Sequence, residues 1–129
     1  MNCPRCGKTI DEHEPGPELR ACMAEVVMKW EVVTDKVGIA YAVDDAGGKH
    51  WLRRGLVGVC WFPDEWIEDS WEVVEKFLHC ERITMEWVRD EQIWWVCIVK
   101  DYDGPDDWWV GTAPALPLAI CRAALKALT

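Results

Sequence analysis

From Ile83 to Val99 the chain reads I-T-M-E-W-V-R-D-E-Q-I-W-W-V-C-I-V, two apolar arms around a polar turn, which is the pattern of a β-hairpin. In the first arm Ile83, Met85 and Trp87 point one way while Thr84, Glu86 and Val88 point the other, so one face is the greasier. The second arm, Ile93 to Val99, is apolar on both parities and needs cover on both sides. An antiparallel sheet with helices above and below meets that need.

The remaining periodicity supplies the helices. After the breaking sequence Glu14-Pro15-Gly16-Pro17, Leu19, Cys22, Met23, Val26, Val27 and Trp30 recur as one buried helical stripe, with Glu18, Arg20, Glu25 and Lys29 outside it. Alternation of large and small residues from Val37 to Val43 predicts a strand, which Asp44 to Gly48 turns. Gly55 to Trp61 is a short apolar run closed by Pro63. From Pro63 a second helix is expected, acidic in its opening turns, with Ile67, Trp71, Val74 and Leu78 as its stripe and Phe77 beside it. Trp108 to Val110 offers a further strand, and Leu118 to Leu128 an alanine-rich helix able to lie close to the sheet. Asp101 to Asp107 is dense in carboxylates, but Thr112 stands where an EF-hand loop needs its closing glutamate, so it reads as a turn. The fold class is therefore α/β of the α+β type: a three-layer α/β/α sandwich with an antiparallel meander sheet over residues 15–129, preceded by an appendage at 1–14.

Composition narrows the function. The 129 residues, 50% hydrophobic, suit one core, and no run is long and uncharged enough for a membrane helix or a signal core. A cytoplasmic protein is expected. A formal charge of −9 opposes gripping long nucleic acid by its backbone, while leaving room for a small phosphorylated ligand in a locally basic pocket. Ser70, the only serine, sits in a helical pattern without the turn a nucleophile needs, and the three histidines have no catalytic spacing. A non-enzymatic role follows.

Seven cysteines are present, and five of them, Cys22, Cys60, Cys80, Cys97 and Cys121, are scattered singly, as free thiols packed like small hydrophobes would be. The other two form C-P-R-C-G at Cys3 and Cys6. Two thiolates at this spacing, with Pro and Gly shaping the turn, make a zinc knuckle, the alternatives being a surface thiol pair or a redox C-x-x-C. One knuckle supplies two of the four ligands zinc takes. The rest would come from His13, from a core-edge residue such as Cys22, His79 or Cys80, or from another subunit. Such a zinc would pin the N-terminus rather than activate water.

Residues 47–55, G-G-K-H-W-L-R-R-G, are the one locally basic, aromatic-bearing segment of an acidic chain. Lys49, Arg53 and Arg54 could meet phosphate and Trp51 could stack on a ring; the bland alternative is a solvated hairpin with an edge tryptophan. Ten tryptophans exceed what one core of this size requires. Trp30, Trp71 and Trp87 fall on inward positions, whereas the adjacent pairs Trp94/Trp95 and Trp108/Trp109 must each send one indole to either side of a strand. Those four join the candidate ligand surface.

Three segments together, E-P-G-P-E-L-R-A-C-M-A-E-V-V-M-K-W at 14–30, S-W-E-V-V-E-K-F at 70–77 and T-A-P-A-L-P-L-A-I-C-R-A-A-L-K-A-L at 112–128, resemble the phage ABA sandwich domain family of small phage and prophage proteins. The resemblance implies an α/β/α layered fold and a phage gene product acting in a bacterial host; it carries no catalytic motif, and neither C-P-R-C-G nor the tryptophan content belongs to its pattern. The expected function is a phage-encoded binder that sequesters a nucleotide-derived host defence signal. A different reading is a protein-interaction module, homo-oligomeric, with zinc ordering its terminus.

Overall fold

A computed structural model of the protein describes residues 1–100 and 107–128. Among the described residues six strands fall into two antiparallel meanders of three. The first holds β1 (Glu31–Thr34), β2 (Ala40–Val43) and β3 (Lys49–Trp51), and the second β4 (Arg82–Val88), β5 (Ile93–Val99) and β6 (Trp108–Ala113), each in chain order. Helix α1 (Pro17–Cys22) runs on into a π-helical turn (Met23–Val27); α2 (Ile67–Glu75) and α3 (Leu116–Ala127) complete the set. Helix α3 lies across β5 and β6 and against α2, while the π-helical turn touches both α3 and β1. The α+β sandwich with antiparallel meanders stands as read from the sequence, with the strands shared between two sheets. No helix among the described residues is long and apolar enough to cross a membrane.

The second sheet is the frame. In its register Trp87, Trp94 and Ala113 align across the strands, then Met85, Val96 and Gly111, then Ile83, Ile98 and Trp109. These rows form the face that meets the core: Val96 and Ile98 are buried, and Ile83, Met85, Trp94 and Trp109 pack against the core from its edge. The opposite parity of β5 is buried too, since Cys97 and Val99 are each 2% exposed. Alanine and glycine let α3 approach closely. A methyl group on Gly111 would run into the Ala119 carbonyl and the Ala123 amide and lie 3.0 Å from the Ala123 Cα. The first sheet is shorter and joins the core through Ala42 and Val32, with Leu52 following β3.

Several expectations shift. The stripe from Leu19 to Trp30 is buried as expected, yet its second half is π-helical and Lys29 adopts φ 61°, so Trp30 reaches the core from beyond the helix end. On α2 the buried residues are Ser70, Val73 and Val74, followed by Phe77, while Ile67, Trp71 and Leu78 are 45%, 51% and 68% exposed. Ile67, Trp71 and Leu78 share one helical face, and it is the neighbouring face, Ser70, Val73 and Val74 continued by Phe77, that turns to the core. Trp87, expected inside, is 45% exposed near the free end of its hairpin. Strand β2 begins only at Ala40; β1, unread in the sequence, flanks it on one side, and β3 on the other falls in the 47–55 segment, which the alternative reading makes a hairpin with an edge tryptophan. The carboxylate-rich turn falls, apart from Asp107, outside the described residues.

A buried ion pair ties α1 to the segment that leads into α2. Arg20 Nε donates to Asp64 Oδ1 at 2.8 Å, the pair being 4% and 0% exposed, and Arg20 also donates to the Leu52 carbonyl at 3.0 Å. The Gly16 amide donates to the other Asp64 oxygen at 3.0 Å, and the guanidinium lies 4.1 Å from the Phe62 ring centroid. With both carboxylate oxygens occupied, neither charge is buried unpaired.

Candidate metal centre and ligand surface

The N-terminal appendage folds back as a knuckle. An antiparallel bridge joins Asn2 to Thr9, the Ile10 amide donates to the Met1 carbonyl at 3.0 Å, and the Cys3 amide donates to the Lys8 carbonyl at 2.8 Å. The Gly7 amide returns to the Cys3 carbonyl at 2.9 Å, and Gly7 holds φ 78°, a conformation that only glycine takes without strain. Ile10, fully buried, fastens the arm to the core, and a 3₁₀ turn at Ile10–Glu12 brings His13 inward. His13 is 1% exposed, and Arg122 of α3 donates to its carbonyl at 3.2 Å.

These local choices converge on one point. Ligand atoms of Cys3, Cys6, His13 and Cys22 all lie within 4.8 Å of one another, with His13 Nε2 3.3 Å from Cys6 Sγ. A tetrahedral zinc with bonds of about 2.0–2.3 Å sets its ligand atoms roughly 3.3–3.8 Å apart, so the donor set fits in both chemistry and spacing. Of the options open in the sequence, Cys22 completes the set. Exposed His79 and half-buried Cys80, 3.8 Å apart, belong to the stretch after α2. Cys22 stands in the sequence as one of several possible further ligands and is not singled out there, because it occupies a buried helical stripe position where any small apolar residue would pack.

The electrostatics suit a metal. Burial raises the Cys3 thiol, but the backbone at Cys6 and Arg5 and the Cys22 and Cys6 side chains outweigh it, leaving Cys3 below its ordinary value. Burial pushes the Cys22 thiol far up, Cys3 and Cys6 add to this, and Arg5, 3.9 Å away, opposes it. Burial likewise lowers His13, favouring the neutral imidazole that a metal requires. A divalent cation at the centre would release the thiol protons and offset the repulsion among the resulting thiolates.

The candidate ligand surface is divided between the two sheets. Lys49 and Trp51 are on β3, with the Lys49 ammonium 4.4 Å from the Trp51 ring centroid and 4.2 Å from that of Tyr41. Arg53 and Arg54 follow in the exposed loop, where Arg54 pairs with Glu65. Trp94, Trp95, Trp108 and Trp109 belong to the second sheet; Trp94 and Trp109 share its core face, and Trp95 and Trp108 the other. The structure thus brings Lys49 to Trp51 and leaves the four indoles on two faces.

No curated protein matches the chain. The crystal structure of a phage protein from Bacillus cereus ATCC 14579 has a similar fold, with a TM-score of 0.64 at 17% identity, covering 90% of this chain and 94% of that one. The model of the phage ABA sandwich domain matches residues 21–125, a span that includes Cys22 but begins after Cys3, Cys6 and His13. The chain belongs to the phage ABA sandwich domain family.

Proposed function

We propose that this phage-family protein is a non-enzymatic binder whose N-terminal arm is closed onto the domain by structural zinc, and whose role is to sequester a small nucleotide-derived anion used by the host as a defence signal. The observation that carries the zinc reading is the convergence of Cys3, Cys6, His13 and Cys22 within 4.8 Å. With all four positions supplied by side chains, the ion has no open position for water and contributes to folding, not to hydrolysis. Supporting a binding role, Ser70 is buried and donates to the Ile67 carbonyl at 2.9 Å, so it is not set up as a nucleophile. Cationic and aromatic side chains in an acidic chain favour an anionic, ring-bearing guest.

Metal analysis of protein purified without chelator should find one zinc per chain, and Cys22→Ser should lose it. Calorimetry against a nucleotide panel should give heat of binding without turnover. Metal-free protein indifferent to zinc would refute the first part, and silence across the panel the second.

A second reading, an interaction module, is favoured by the apolar side chains on and beside α2: Trp66, Ile67 and Trp71 are 41%, 45% and 51% exposed. Light scattering that shows a dimer broken by Trp71→Glu would support it.

A further inference from the structure

The geometry points to one particular cleft as the ligand site: a pocket of about 320 Å³ in which Lys29, Lys76 and Lys100 would hold the phosphate of a nucleotide-sized molecule and Trp109 would stack on its ring. The ligand class rests on the binding role proposed above; the location does not. The volume falls at the lower end of small-molecule sites, about 300–1,000 Å³, enough for one mononucleotide partly seated.

Charge is the first argument. The chain has 14 Lys and Arg against 23 Asp and Glu, yet the residues lining the cleft include three lysines and, among the described residues, a single carboxylate residue, Asp107. Among the described residues none of the three lysines makes an ion pair, whereas Lys8, Lys126, Arg5, Arg20 and Arg54 all do. Lys76 caps the C-terminus of α2, where the helix dipole alone would favour a cation. Lys29 and Lys100 have no such structural reason.

Backbone strain at Lys29 is the second. The π-helical turn closes with the Met28 amide on the Met23 carbonyl at 3.1 Å, the Trp30 amide reaches back to Ala24 at 2.9 Å, and the chain reverses between them with Lys29 at φ 61°. Glycine would take that conformation without cost, so a lysine there holds a strained position for its side chain, as functional residues do. π-helical insertions are themselves frequent at binding sites. The walls supply the rest: Val27 and Phe77 exclude water, and Trp109, half-buried on the core face of β6, offers an indole to a planar ring. None of these lysines belongs to the 47–55 segment that the sequence marks as basic.

The test uses the full zinc-loaded chain with ADP, inorganic pyrophosphate and adenosine as probes in calorimetry. ADP should bind, with pyrophosphate and adenosine each at least about tenfold weaker, since each offers one half of the recognition. Lys29→Gly should weaken ADP about tenfold while its melting temperature holds or rises, because it removes charge and strain together. Lys100→Ala and Trp109→Leu should weaken it similarly, whereas the double variant Lys49→Ala/Arg53→Ala should bind as the parent does. ADP binding that survives Lys29→Gly and Lys100→Ala but is lost in the Lys49/Arg53 variant would overturn the cleft and leave sequestration standing. A parent that binds neither ADP nor pyrophosphate overturns both.

Discussion

Asp44 accepts hydrogen bonds from the Ala46 amide at 3.0 Å, the Gly48 amide at 2.7 Å and His50 Nε2 at 2.8 Å, and so fixes the β2–β3 turn. The His50 bond first, then the Gly48 amide, hold its carboxyl below the ordinary value of 3.8. A group whose folded pKa is depressed contributes stability that is full above its unfolded pKa and is lost as pH falls through the folded value. Acid titration should therefore loosen this turn below about pH 4, the ordinary carboxylate range. The change should appear in Trp30 fluorescence, because His50 stacks on that indole at 4.9 Å, and Asp44→Asn should flatten the response. At Asp64 the expectation is energetic. Removing the carboxylate takes away the closest partner of the buried Arg20 guanidinium and leaves it the Glu65 carboxylate at 3.4 Å and the Leu52 carbonyl, so Asp64→Ala should cost about 3 kcal/mol in denaturant unfolding. At this scale the sequence is readable where a motif is local: C-P-R-C-G announces a knuckle through its own spacing. It is silent on Lys29, whose left-handed backbone is imposed by the π-helical turn before it and the core position of Trp30 after it.

Between elements, the close seating of α3 on β6 depends on Gly111 having no side chain. Gly111→Ala should force the helix outward and destabilise the protein by about 1–3 kcal/mol, the ordinary cost of overpacking, measurable by thermal melts. Strand β5 and helix α3 were legible because each carries a long, consistent apolar pattern that packing then rewards. The face of α2 differs from the expected one because Trp71 and Leu78 look as apolar as Val73 and Phe77, and only the way the helix is seated against α3 decides which of the two adjacent faces is buried. Strand β1 is not legible and β3 shows only as an alternative hairpin reading, because four and three residues are too few for a period to show and their pairing partners settle their identity.

For the whole molecule, the matched family segment begins at residue 21, and the arm that carries Cys3, Cys6 and His13 precedes it and meets it at Cys22. Two layers of stability follow. Chelation should release the arm and lower the melting temperature while leaving the second sheet and α3 folded, a result that hydrogen exchange would resolve as lost protection at residues 3–13 with retained protection in β5. If chelation unfolded the chain in one step, the arm would instead be part of the main cooperative unit. Cys3 and Ile10 belong to the same buried cluster as α3, so the arm keeps some grip without the ion. That grip sets how sharply release responds to zinc concentration.

With zinc bound as proposed, the shared cysteine on α1 would also make the chain a gauge of metal supply in the cell that holds it. Arg5 and Lys8 lie in the segment that the ion would clamp, both beside an exposed glutamate on the helix side, Glu25 and Glu18. Brief trypsin treatment of zinc-replete protein should spare those two bonds, and protein from zinc-starved cells should be clipped there first, so the state of one terminus records whether the ion was within reach when the chain folded.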